Sequence, residues 1–187
     1  QEGHSAQQGQ VATLFNDCFK CLEAMCGDNP KAQKTLFPDI SFFASFMGIP
    51  NVNAADTISA IFKDNTELCE QISLSFVEQV VQVIMTFGKH ARWLKIFENI
   101  VQANGQPLRQ NQDMVLKELS KHQGILVLFN TVDGHNHRLK LMQARESDKP
   151  LESELVYHTQ CVNLLASCTL GNNPGAEARA RDLFNLG

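Results

Sequence analysis

The sequence lacks the basic excess that binding to phosphate backbones requires: 16 Lys and Arg stand against 20 Asp and Glu, for a net charge of -4. Counter-ion release by clustered cations dominates nucleic-acid affinity, so no nucleic-acid partner is expected. Also missing is any apolar run near the roughly 20 residues that a membrane-crossing helix needs. The longest candidate, Phe76 to Phe87, is interrupted by Glu78, Gln79 and Gln82. Neither a membrane span, a membrane contact nor a signal peptide is expected. With no initiator Met, the chain reads as one domain, or one and a half, cut from something longer.

Catalytic signatures are absent as well. There is no glycine-rich phosphate loop, no Ser/His/Asp series and no HExxH. Cys18, Cys21, Cys26, Cys69, Cys161 and Cys168 are scattered through apolar helical stretches, unlike the dense frameworks of small secreted domains, which points to a reducing cytosol. Cys18-x-x-Cys21 with Cys26 has no second Cys or His pair to complete a four-ligand zinc site, so three buried thiols on one helix are expected. His135-Asn-His137 has too few nearby carboxylates for a metal and reads as a polar loop. His158 shares the apolar side of its helix with Leu151, Leu155, Val162 and Leu165. A hydrogen-bonded core histidine is expected there, since no nucleophile or carboxylate pairs with it. The expectation is a protein that is not an enzyme and holds no cofactor and no metal.

What is present is enough apolar material for a continuous core: 43% apolar against 19% charged. Val11, Leu14, Phe15, Cys18, Leu22 and Met25 form one helical stripe that stops at Gly27, which can take a left-handed turn. Asn29-Pro30 restarts a short helix to Phe37, because Asn accepts free N–H groups at a helix start and Pro has none to waste. Pro38 breaks it, Asp39 can cap the next helix, and Ile40, Phe43, Phe46 and Met47 form that helix's inner face. Asn53 can cap a helix carrying Ile58, Ile61 and Phe62, which gives way at Asp64-Asn65 to another short helix through Leu68 and Ile72. A long helix through Phe76, Val80 and Ile84 ends at Gly88.

Trp93, Leu94, Phe97, Ile100 and Val101 fall within about a third of a helix circumference, with Arg92, Lys95, Glu98 and Gln102 outward. Gly105-Gln106-Pro107 closes this helix, and a more polar one follows to Leu119 with Val115 and Leu119 inward. Residues 124–129 read as a short helix or an extended connector. Asp133-Gly134-His135 opens a helix with Leu139, Leu141 and Met142, Arg145 to Lys149 forms a loop, and Leu151 to Gly171 is a well-covered helix with Cys161, Val162, Leu164, Leu165 and Cys168 inward.

Internal repetition gives these helices an order. Leu22-Glu-Ala-Met-Cys26 followed by Gly27-Asp-Asn-Pro30 resembles Leu164-Leu-Ala-Ser-Cys168 followed by Gly171-Asn-Asn-Pro174, and both lead to a helix ending Leu-Phe. Asn29, Asn65, Asn104 and Asn173 recur at roughly 36 to 39 residues, the last interval about twice that, which is the period of helical repeats. One helical hairpin cannot bury its apolar face alone, whereas stacked hairpins share a core. The expected fold class is therefore all-α, an armadillo-like helical solenoid of stacked hairpins. Residues 1–187 are expected to form a single helical-repeat domain with breaks near 49–53, 88–90 and 130–134. Lys89, His90, Arg92 and Lys95 cluster at a helix start and are the candidate anion or partner surface, set against a plain solvated face.

The stretch Gly88-Lys-His-Ala-Arg-Trp-Leu-Lys-Ile-Phe-Glu-Asn-Ile-Val-Gln-Ala-Asn-Gly105, followed by Gln112-Asp-Met-Val115, resembles the inositol trisphosphate receptors. Asn29-Pro30 with Gln33, Leu36 and Phe37, Ala55 to Phe62, Leu68-Cys69, Val127 to Asn130, Tyr157-His158 and Leu164 to Asn172 resemble the same receptors in the same order, so the likeness runs from Phe15 to Leu186. It implies the helical homology domain shared with ryanodine receptors, within the cytosolic assembly of an endoplasmic-reticulum calcium-release channel, where such domains relay ligand-induced movement toward the pore. The implied partners are other domains of the same channel and neighbouring subunits of a tetramer. The family's inositol trisphosphate pocket lies between a β-trefoil and an earlier helical domain, neither legible here, so no ligand residue carries over. A shorter polar stretch at Ser120 to Gln123 and an insertion-prone region from Asp133 to Lys149 mark a divergent member. The alternative is a standalone helical-repeat scaffold holding a partner helix or peptide in its groove. A third reading has Lys89, Arg92 and Lys95 bind inositol phosphates.

Overall fold

Of the six left-handed non-glycine residues among those described, four share one role as turns between helices: Asp28 (φ 47°), Asp64 (55°), Asn104 (52°) and Asn172 (54°), in a conformation that short polar side chains tolerate. In this computed structural model, which describes residues 2–122, 124–143 and 149–184 and the side chains of residues 10–122, 124–143 and 154–184, each such turn ends one helix and orients the next. At three of them the following Asn is the N-cap: Asn29, Asn65 and Asn173 accept from the backbone N–H of Ala32 (3.2 Å), Leu68 (3.2 Å) and Ala176 (3.3 Å). At the third turn, Asn104 and Gly105 (φ 71°) are left-handed in succession. That pair closes a minute antiparallel hairpin of β1 (Gln102–Ala103) and β2 (Gln106–Pro107).

The helices between these turns form two rows. α1 (Glu2–Cys26), α4 (Ala54–Phe62), α7 (Ala91–Val101) and α10 (Lys149–Thr169) stack in sequence, each packed on the next. α3 (Ile40–Ala44), α6 (Leu74–Phe87), α8 (Arg109–Ser120) and α11 (Pro174–Phe184) form the second row, α3 on α6, α6 on α8 and α8 on α11. The short helices α2 (Pro30–Leu36) and α5 (Thr66–Cys69) follow the first two turns, and α2 packs on α4 while α5 packs on α7. α9 (Val132–Gln143) lies outside the rows against α10. The described residues thus show the all-α fold, with the β-hairpin as a local turn.

The core lies between the rows. Ile58, Ile61 and Phe62 of α4, Leu94, Ile96, Phe97 and Ile100 of α7, Leu116 and Leu119 of α8, and Leu164 of α10 are sealed from solvent. Each such side chain contributes about 1.5–3 kcal/mol relative to exposure. Phe62 is held edge-on by Phe37 (6.0 Å) and tilted against Phe76 (5.9 Å), which ties three elements together.

Several expectations change. The α1 stripe of Val11, Leu14, Phe15, Cys18 and Met25 is exposed, and the helix buries Phe19 and Cys26 instead, about a quarter turn round. Of the three thiols expected to be buried on α1, Cys18 and Cys21 are exposed and only Cys26 is buried. The left-handed residue after α1 is Asp28, not Gly27. Pro38 does not simply stop a helix: a 3-10 turn, Phe37–Asp39, carries the chain into α3, where Asp39 occupies the cap position without a side-chain bond. Asn53 likewise precedes α4 without capping it. Residues 127–130 form an irregular connector without strand pairing, in which Phe129 is left-handed (φ 49°), and Val162 faces outward, 37% exposed. The expected loop at 145–148 and the end of the receptor resemblance at Leu186 lie outside the described residues, while Lys149 opens α10.

Candidate interaction surface and inter-repeat clamps

Gly88 (φ 104°) ends α6, and its N–H donates to Ile84 O (3.1 Å), so the chain reverses at once and α7 starts three residues later. Lys89, His90, Arg92 and Lys95 all reach the surface there. The His90 ring lies 4.4 Å from that of buried Trp93. The Arg92 guanidinium donates to Asn53 Oδ1, linking α7 to the loop before α4. Lys95 Nζ pairs with Glu98 Oε2 (2.9 Å), which also accepts from Gln160 Nε2 of α10 (2.6 Å).

His90 and Arg92 border a cleft of about 510 Å³ whose other walls include Met47, Ile49, Phe87 and Trp93. Lys89 instead borders a second depression of about 500 Å³ with Met85, Lys121, His122 and Ile125. The structure therefore brings two of the four basic residues into one cleft, places the third in another and ties the fourth into the α7–α10 contact.

A second set of polar side chains holds successive repeats together. Gln33, the fourth residue of α2, donates through Nε2 to Ala60 O (2.9 Å) and Lys63 O (3.1 Å) at the end of α4, and its Oε1 accepts from Asn65 Nδ2 (2.8 Å). Gln112, the fourth residue of α8, does the same to Ser167 O (3.0 Å) and Leu170 O (3.1 Å) at the end of α10, and its Oε1 accepts from Asn173 Nδ2 (3.1 Å). Between them, Cys69, the fourth residue of α5, points Sγ–H at Asn99 O near the end of α7 (3.5 Å).

The last carbonyls of a helix have no partner within it, so each clamp satisfies groups the helix cannot satisfy alone. A net contribution of about 1 kcal/mol per bond, and about 1–3 kcal/mol lost when a buried partner is stranded, makes these contacts matter more than their number suggests. Asn111 Nδ2 adds bonds to Cys69 O and Ile100 O (both 2.7 Å), and the third turn is joined to the second by Asn104 N–H to Asp64 Oδ1 (3.0 Å).

The ionisable groups in the stack are placed for structure. Burial pushes the Cys69 thiol up to about 12, with Asp64 and Glu70 adding to it, and pushes Cys161 up to about 11, so both stay protonated at neutral pH. Hydrogen bonding from Lys121 holds the Glu118 carboxyl below its ordinary range. His158 is buried, with its ring Nδ1 2.7 Å from Val127 O and 4.6 Å from the Phe129 ring, and no nucleophile among the described residues is bonded to it. His137 pairs with Glu154 (3.2 Å). Sequence reasoning missed the Gln33 and Gln112 clamps. The signal was an amide at the fourth position of the helix that follows a left-handed turn.

These repeats can be set beside known proteins. The family model described as RYDR_ITPR, RIH domain, matches residues 1–131. The chain belongs to the RIH domain family. This RIH chain is 22% identical over 185 residues, 94% of its length, to the inositol 1,4,5-trisphosphate receptor itr-1 of Caenorhabditis elegans. It is 35% identical over 66 residues, 34% of its length, to the inositol 1,4,5-trisphosphate receptor-like protein A of Dictyostelium discoideum. It spans 6% and 2% of the lengths of those two proteins. The RIH match ends in the connector ahead of α9, so it covers α1 through α8, and the likeness to itr-1 carries on into the region of α10 and α11.

Proposed function

We propose that this RIH chain is a non-catalytic coupling module of an intracellular ligand-gated calcium-release channel of the inositol trisphosphate receptor kind. It lies on the cytosolic face of the endoplasmic reticulum and relays ligand-induced movement toward the pore. Its partners are other domains of the same channel and neighbouring subunits of a tetramer. The observation that carries the reading is the continuous row α1, α4, α7, α10, cross-tied by the Gln33 and Gln112 clamps, together with the likeness to itr-1 along nearly the whole chain. A stack closed in this way moves as a body, which is what a relay needs.

The test is made in the full-length channel. Gln112→Leu loosens α8 from α10, and the expected result is a lower calcium release at each ligand concentration while ligand affinity is unchanged. Unchanged release in a folded variant whose α8–α10 contact is measurably loosened overturns the relay.

The cleft beside α7, with Ile49 (43% exposed) and Phe87 (56% exposed) on its rim, favours a second reading in which the chain is a scaffold for a partner helix or peptide. A pore-forming region in the downstream reading frame supports the channel, and its absence supports the scaffold. Lys89, His90, Arg92 and Lys95 are the anion or partner surface in either reading. For inositol phosphates, calorimetric titration should give heat that vanishes in K89A/R92A/K95A, and a flat titration of the intact chain removes that ligand class.

A further inference from the structure

α1 carries two faces that differ in what they meet. On one, Phe19 and Cys26 are buried, Asn16 Oδ1 accepts from Asn53 N–H (3.2 Å), and Phe19 O accepts from Thr57 Oγ1 (2.8 Å), so this face is held by α4 and the loop before it. On the other, Val11 (49% exposed), Leu14 (65%), Met25 (52%), Cys18 and Cys21 line up along the helix with no covering element among the described residues. The polar residues Asp17 and Lys20 lie further round, so the stripe is a distinct apolar surface. Among the described residues, α4 and α7 each have a row neighbour on both sides, whereas α1 has one on a single side.

A second observation comes from the first turn, where the backbone is the same as at its counterparts and the clamp is absent. Asn65 and Asn173 each donate to a glutamine at the fourth position of a helix that follows an earlier left-handed turn, Gln33 of α2 and Gln112 of α8, and that glutamine closes two carbonyls: one lies two residues before the helix end and one lies just beyond it. The corresponding carbonyls of α1 are those of Ala24, which accepts from the Gly27 N–H (3.3 Å), and Gly27, and among the described residues neither receives a side-chain donor. Asn29 caps α2 as its counterparts cap their helices, yet its Nδ2 has no side-chain acceptor among the described residues. The uncovered stripe and the unmade clamp belong to the same repeat boundary.

We propose that this face seats a further helical repeat that precedes α1 on the same polypeptide. Its first-row helix lies on Val11, Leu14, Cys18 and Met25, continuing the row formed by α1, α4, α7 and α10. An amide side chain at the fourth position of the helix that follows that repeat's own left-handed turn donates to Ala24 O and Gly27 O and accepts from Asn29 Nδ2.

Cys18 and Cys21 report on that seat, and buried Cys26, Cys69, Cys161 and Cys168 serve as internal controls for folding. The protein is prepared twice, from Gln1 and from the natural reading frame extended ahead of Gln1, and each is labelled with a maleimide and read by mass. In the chain starting at Gln1, Cys18 and Cys21 should label as open thiols. In the extended protein Cys18 should slow at least about tenfold, since labelling then needs local opening, while the four control thiols stay protected in both. Leu14→Glu should restore fast Cys18 labelling in the extended protein and leave the thermal midpoint of the chain starting at Gln1 unchanged.

Equal Cys18 rates in the two folded proteins overturn the proposal, as does a reading frame that opens at Gln1. Protection that rises with concentration in the chain starting at Gln1, tracks dimer formation by sedimentation and is not increased by the extension assigns the face to a second copy instead.

Discussion

α7 and α9 are almost equal in length, 11 and 12 residues, and they are opposites in what they bury. α7 encloses Trp93, Leu94, Ile96, Phe97, Ile100 and Val101 between α4, α8 and α10, whereas α9 encloses Leu141 alone. The difference follows from where apolar residues fall. In α7 they recur at three- and four-residue steps on one broad side, while in α9 Val132, Leu139 and Met142 lie on one side and Leu141 on the other. One helix is a member of the stack and the other an attachment to it. Stability and tolerance to change should therefore separate along that line.

The largest effect should come from emptying the α7 core. Phe97→Ala is expected to cost about 3–5 kcal/mol in denaturant unfolding, the range for large aromatic truncations in a sealed site. A loss no greater than that of the matching change on α9, Leu141→Ala, breaks the comparison. Gln112→Ala should come next, at about 1–3 kcal/mol, because it strands Ser167 O, Leu170 O and the Asn173 amide at once.

Acid should act on the stack before the attachment. Glu118 of α8 is held below its ordinary pKa, first by the Lys121 hydrogen bond, so its stabilisation is complete above the unfolded value and is lost as pH falls through the folded one. Trp93, the single tryptophan, reports α7 directly, and Glu118→Gln should flatten the acid slope of its unfolding curve. An unchanged slope assigns the acid sensitivity elsewhere. The smallest effect belongs to Met142→Ala on α9, 63% exposed, which should stay within about 0.5 kcal/mol in thermal unfolding.

The helices themselves were legible because their periodicity is strong where packing is two-sided: the stripe of Trp93, Leu94, Phe97, Ile100 and Val101 is buried in full. The cap at Asn29 was legible for a local reason, since a side chain that satisfies a free N–H three residues on needs no tertiary knowledge; Asn65 and Asn173 were legible only as markers of the repeat, and Asn53, expected to cap, does not. The orientation of α1 was not legible. Periodicity shows that a helix has an apolar stripe, but only tertiary contact shows what covers it, and in α1 the neighbouring repeat grips Phe19 and Cys26 instead. The residue that turns left-handed was misread for a related reason: glycine is the cheapest occupant of that conformation, yet Asp28 takes it in the company of Asp64, Asn104 and Asn172. For the basic residues, sequence gave proximity along one helix start, and the fold divided them between two depressions and an ion pair.

The glutamine clamps also set the mechanical character of the stack. Apolar packing sets no single register by direction, but an amide bonded to two carbonyls and a neighbouring amide has one position in which all three bonds are made. A slip of α8 along α10 breaks them together, so the contact behaves as a detent with a click and no glide. Shear between neighbouring layers is thus the motion that the clamps oppose most.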